Sequence, residues 1–149
     1  MGTVVAILAL ASAAAPALAA DPVYYPSTYA GAPISEAVQV GDILFVSPVL
    51  GLAAGLPPAL AGGLEEQTKA AMDQIGRSLA KRGLSYDNVF RCALSVVDSG
   101  DPSRMAVVNK VYTGYFKPGR FPARALTSPA NLPLKADLTV ECWAHVPAK

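Results

Sequence analysis

This chain of 149 residues is poor in the side chains that most often carry chemistry. It has one histidine and two cysteines. That excludes most His/Cys metal sites, which need three or four such ligands at fixed spacings, so no metal is expected. Nothing in the sequence argues for a Ser-His-Asp arrangement either: His145, the single histidine, sits among strand residues near the C-terminus, where a structural or surface role is expected. Charge is scarce and balanced: 12 Lys plus Arg stand against 11 Asp plus Glu, for a net charge of +1. No basic stripe is present to neutralise phosphates, so no nucleic-acid partner is expected. No phosphate-cradling loop appears either. Gly62-Gly63 precedes a helical pattern but lacks the Lys and Ser/Thr such a loop needs. Scarce charge does not mean disorder here, since 52% of residues are hydrophobic, and the length suits one domain.

The first twenty residues carry no charge at all. Val4 to Leu10 form an apolar run, small residues and Pro16 follow, and Ala17-Leu18-Ala19 is a small-x-small cleavage pattern. Residues 1–20 are therefore expected to be a secretory signal peptide, cut near Ala19 or Ala20. The mature protein, 21–149, would then be periplasmic or secreted, with no membrane attachment after cleavage. The alternative is an uncleaved anchor. Pro16 and the alanine-rich second half make a weak span, because a membrane helix needs about 20 strongly apolar residues. In an exported chain Cys92 and Cys142 meet an oxidising compartment. They are then either one disulfide or two small residues packed in a core.

Beyond residue 20 the periodicities alternate between strand and helix. Residues 21–33, rich in Pro and Tyr, suggest an extended arm. Residues 35–47 read as a hairpin turning at Gly41-Asp42. Residues 48–63 have the Gly, Pro and Ala content of a loop. Leu64, Thr68, Ala71, Met72, Ile75 and Leu79 form one stripe of a helix over 64–82, with Gly83 to end it. Glu65–Lys69 and Asp73–Arg77 are spaced as i,i+4 pairs on its charged face. Val89 to Val97 alternates as a strand. Asp101-Pro102 caps a second helix over 102–116. Phe121 to Ser128 and Ala136 to Val146 complete the set as strands. The order β-β-α-β-α-β-β gives an α+β fold with a mixed sheet and both helices on one face. The other face carries Trp143 and is half apolar, which points to association between copies.

One local motif stands out. In Phe121-Pro122-Ala123-Arg124-Ala125 a single arginine stands in an apolar strand. Its planar fork binds carboxylates in bidentate fashion, and burial without a partner would be costly. The same spacing also suits a surface arginine.

At these residues the chain resembles the RidA/YjgF family of enamine/imine deaminases. Phe121-Pro122-Ala123-Arg124, Leu132-Pro133 and Val140-Glu141-Cys142-Trp143-Ala144 follow the family's C-terminal pattern without a gap. Upstream, Ala32-Pro33-Ile34-Ser35-Glu36-Ala37 and Gly41-Asp42-Ile43-Leu44-Phe45-Val46-Ser47 match two further family segments in the right order. The resemblance covers roughly residues 31–147. It implies a chorismate-mutase-like fold and a homotrimer with ligand clefts between subunits. It also implies cofactor-free hydrolysis of small 2-enamine/2-imino acids to 2-keto acids and ammonia. By the same resemblance Arg124 clamps the substrate carboxylate, and Ile34, Ser47 and Leu126 line the substrate site.

The departures from the family pattern bear on catalysis. Thr139 stands where the family's water-positioning glutamate is expected. Glu141 is the second strand glutamate, one pleat or about 6–7 Å further along. A carboxylate can take a proton from water, whereas a Thr hydroxyl can orient water but is a very poor base. Ile34 replaces a binding-site tyrosine, Glu36 a glutamine, and Pro48 a glycine whose N–H could serve a ligand. Arg124, Thr139 and Glu141 are thus the expected catalytic residues. The alternatives are a non-catalytic trimeric binder of small carboxylic acids and a trimer acting through protein contacts.

Overall fold

The computed structural model describes residues 21–29, 31–54 and 59–148. The expected signal peptide, residues 1–20, lies outside the described residues. The elements are β1 (Val23–Pro26), β2 (Ser35–Val40), β3 (Ile43–Leu50), α1 (Leu64–Ala80), β4 (Val89–Val96), α2 (Pro102–Thr113), β5 (Ala123–Thr127) and β6 (Leu138–His145). They form one six-stranded sheet in the order β1-β2-β3-β6-β4-β5. Only β4 and β5 run parallel, joined by the α2 crossover; the other pairs are antiparallel.

Strict alternation decides which face of the sheet is covered. Leu138, Val140, Cys142 and Ala144 of β6 are buried, as are Cys92, Leu94 and Val96 of β4 and Leu44 and Val46 of β3. Ala71, Met72, Ile75 and Leu79 of α1 and Val108 and Tyr112 of α2 close over them. Thr139, Glu141, Trp143 and His145 point to the opposite, open face. The α+β class and the pair of helices on one face follow the sequence expectation.

Five details depart from it. β3 runs on to Leu50, inside the stretch 48–63 expected to be loop, because Val49 and Leu50 pair with Val140 and Thr139 of β6. The arm adds a sixth strand: Tyr24 and Tyr25 pair with Val38 and Ala37, so β1 is an edge of the sheet. Both helices stop short, α1 at Ala80 and α2 at Thr113. Past α2, the amides of Tyr115 and Phe116 bond three residues back, to Tyr112 and Thr113. The chain therefore continues there in a tighter turn than the α-helix expected to reach residue 116. The charged pairs on α1 also regroup. Glu65 meets Lys110 of α2 at 2.8 Å, and Lys69 turns forward to Asp73 at 2.6 Å. Periodicity could not foresee α2 lying alongside. Asp101 caps α2 as expected, accepting from the Ser103 amide at 2.8 Å, and Gly83 takes φ +70° after α1.

Cys92 and Cys142 are joined by a disulfide. They lie directly opposite each other on β4 and β6, and both are fully buried. Of the two readings of these cysteines, the bridge is the one the fold adopts.

Candidate functional site

Arg124 lies on β5, the edge strand opposite β1. Its register partner is Cys92, which faces the core, so Arg124 projects to the helix side of the sheet against α2. There its Nη1 donates to Asn109 Oδ1 at 2.6 Å, and its guanidinium lies 5.4 Å from the Tyr112 ring centroid. Both partners are uncharged. Among the described residues no carboxylate pairs with Arg124, and the side chain is exposed. Leu126 sits one pleat further along the same face and is also exposed.

Tyr112 is the less expected neighbour. It is buried, yet its hydroxyl has no hydrogen-bond partner among the described residues. Burial pushes its pKa up to about 12, partly offset by the positive charge of Arg124. From the sequence, neither Asn109 nor Tyr112 is expected as a site residue. The available signal was helical spacing: Asn109 precedes Tyr112 by three residues, so both reach the same side of α2.

Thr139 and Glu141 lie elsewhere. β6 is separated from β5 by β4, about 10 Å across the ladder, and both side chains face the open side. Thr139 is opposite Ser95, and Ser95 is opposite Thr127, whose Oγ1 donates to Ser95 Oγ at 2.8 Å. The three hydroxyl residues thus form a row across three strands. Glu141 is engaged by Arg91, Nη1 to Oε1 3.4 Å, and the Arg91 guanidinium lies 4.3 Å from the Trp143 ring centroid. Phe45 and Phe90 pack edge-on to Trp143, at 4.8 and 6.5 Å.

Ser47 and Ile34 belong to the same half of the sheet as Thr139. Between Val46, opposite Cys142, and Val49, opposite Val140, the register shifts by one residue. Ser47 and Pro48 therefore share the position facing Glu141. Pro48 has no N–H for the ladder, and this irregularity accommodates it. Ser47 Oγ donates to the Ser35 carbonyl at 2.7 Å, and Ile34, just before it, is 54% exposed. The single chain thus gathers Arg124 with Leu126, and Thr139 and Glu141 near Ser47. It does not bring the two groups together.

A family model described as "Endoribonuclease L-PSP" matches residues 26–146. The chain is 32% identical over 112 residues to "Reactive Intermediate Deaminase A, chloroplastic" of Arabidopsis thaliana, covering 75% of this chain and 58% of that protein. It is likewise 32% identical over 112 residues to the mouse "2-iminobutanoate/2-iminopropanoate deaminase", covering 75% and 80%. Among solved structures, RidA from an Antarctic Psychrobacter superposes with a TM-score of 0.70 at 26% identity, covering 79% of this chain and 92% of that one. A Rid-family protein of unknown function from Yersinia pestis gives 0.71 at 25% identity, covering 83% and 94%.

Proposed function

The chain belongs to the endoribonuclease L-PSP family, which includes RidA and its relatives, and on that premise we propose that it is a hydrolytic deaminase of small 2-imino acids. The observation that carries this reading is Arg124: an exposed guanidinium held by a neutral amide and an aromatic ring, with no carboxylate partner among the described residues. A substrate carboxylate supplies the missing counter-charge in bidentate geometry. Water adds to the imine carbon, the C–N bond breaks, and a 2-keto acid and ammonia leave. No cofactor enters this scheme. Positioning and charge supply the acceleration, and Thr139 orients the water within its row of hydroxyls.

Arg124 and Thr139 lie on opposite faces of the sheet, two strands apart, so a shared cleft requires a second copy. We assign the assembly as a homotrimer whose open faces meet, with Ile34 and Ser47 of one copy facing Arg124 and Leu126 of another. The apolar open face supports this. The family description names ribonuclease action, but a net charge of +1 without a basic stripe gives RNA little to hold. Export to the periplasm or beyond fits a buried disulfide.

A second reading is a trimer that binds small carboxylic acids without turnover. Glu141, the second expected strand carboxylate, is engaged by Arg91 and so is poorly placed as a free base. The test is to generate 2-imino acids with an amino-acid oxidase, add residues 21–149, and trap what remains with semicarbazide. Deamination predicts less trapped imine with the wild type and the no-protein level with Arg124→Ala. Equal trapping in all samples would overturn the enzyme reading and leave the binder.

A further inference from the structure

A groove of about 620 Å³ opens on the helix side of the sheet, over β2 and β3 and beside α1. It lies at the opposite end of the sheet from Arg124, and nothing in the proposed deamination uses it. The volume falls within the range of small-molecule sites, roughly 300–1,000 Å³. Its floor is apolar, from Val46 and Val49 of β3, Leu52 after it, and Ala70 of α1.

Both ends of the groove are pinned without a ligand. At one end Gly51 presses against α1 so closely that a Cβ there would lie 2.2 Å from the Gln67 carbonyl oxygen. At the other, Glu36 of β2 accepts from Lys81 at 2.8 Å and from Arg82 at 3.1 Å. The slot between them is therefore preformed, which lowers the ordering cost of binding.

Charge at the rim selects the ligand class. The two rim carboxylates are already satisfied: Glu36 by Lys81 and Arg82, and Asp73 by Lys69 and the Tyr115 hydroxyl, each at 2.6 Å. Arg77, in the last turn of α1, lines the same groove and is exposed. It has neither a hydrogen bond nor an ion pair among the described residues. The Arg77 charge acts on Asp73, one turn earlier, but its guanidinium donors are unbonded among the described residues, and such a group above an apolar floor is complementary to an anion with an apolar body. We propose that this groove is a second ligand site, taking an apolar carboxylic acid with its carboxylate on Arg77 and its hydrocarbon over Val49, Leu52 and Ala70.

The test uses decanoate as probe and Arg124→Ala as the background, which removes the other carboxylate site. Calorimetric titration should show saturable decanoate binding in that background, with decanol bound about tenfold more weakly. Adding Arg77→Gln should weaken decanoate about tenfold, the scale of one charge-assisted hydrogen bond at a surface. Adding Ala70→Phe should abolish binding by filling the floor. Arg77 is exposed, so its variant folds whatever Ala70→Phe does. No decanoate binding in the Arg124→Ala background, or an isotherm indifferent to Arg77→Gln, would overturn the proposal. Neither result bears on imine turnover, which is read separately.

Discussion

Arg124 and Glu36 show how differently two charged residues can be placed in one small fold. Arg124 is held by Asn109 and Tyr112, with no carboxylate paired to it among the described residues. Glu36 is enclosed by Lys81 and Arg82, and the Arg82 guanidinium also lies 4.0 Å from the Tyr25 ring centroid. Burial by itself raises the Glu36 pKa, but hydrogen bonds from Lys81, Ser78 and Arg82 outweigh it and hold the carboxyl below its ordinary 4.5. A carboxyl depressed in the folded state stabilises the fold above its unfolded pKa. That contribution is lost as pH falls through the lowered folded value. Glu36→Gln should therefore cost about 1–3 kcal/mol at pH 7, largely by leaving Arg82 under-partnered. Urea titrations at several pH values should also show a flatter acid limb, below about pH 4.5, than the wild type. An unchanged acid limb would mean the ion pair contributes nothing. At this scale the sequence was partly legible. The single arginine in an apolar strand, Arg124, stood out by its chemistry. The neutrality of its partners did not, because Asn109 and Tyr112 reach it only through the α2 crossover.

Elements were legible where a period was long and uninterrupted. The α1 stripe, the Asp101-Pro102 cap and the alternation of β6 each specified their structure locally. β1 was not legible: its four residues include Pro26, and what makes them a strand is the partner β2. The regrouped ion pairs of α1 likewise depend on α2. The disulfide belongs to this scale too, because two alternating strands fix the faces of Cys92 and Cys142 but only their register sets them opposite. It closes a span of 50 residues between the central strands β4 and β6. The double variant Cys92→Ala/Cys142→Ala should lose about 2–4 kcal/mol of unfolding free energy in urea. Because both cysteines are fully buried, dithiothreitol should reduce the bridge no faster than the protein unfolds. Rapid reduction of the folded protein would contradict that burial.

At the scale of the whole molecule, the open face is the unfinished part. Phe90 is 42% exposed and Val40 44%, and Phe45 and Trp143 lie between them on the same face. A patch of this kind normally serves association. The sequence announced it through the polar and apolar mixture of β6, but it could not specify the number of copies. Phe90→Asp places a charge in the patch without touching the buried core. Sedimentation velocity should show the variant shifted to smaller species than the wild type, with an unchanged far-ultraviolet spectrum. Equal sedimentation of the two proteins would mean that this face joins no copies, and the proposed shared cleft would lose its basis.

The central claim is that Arg124 recognises a carboxylate, and both the deaminase and the binder depend on it. The most direct measurement is calorimetric titration of residues 21–149 with 2-oxobutanoate, a small 2-keto acid of the proposed product class. Wild type, Arg124→Lys and Arg124→Ala would be compared. The account predicts saturable binding to the wild type, loss with Ala, and poor recovery with Lys, because an ammonium lacks the planar fork. Binding that is equal in all three proteins would contradict it.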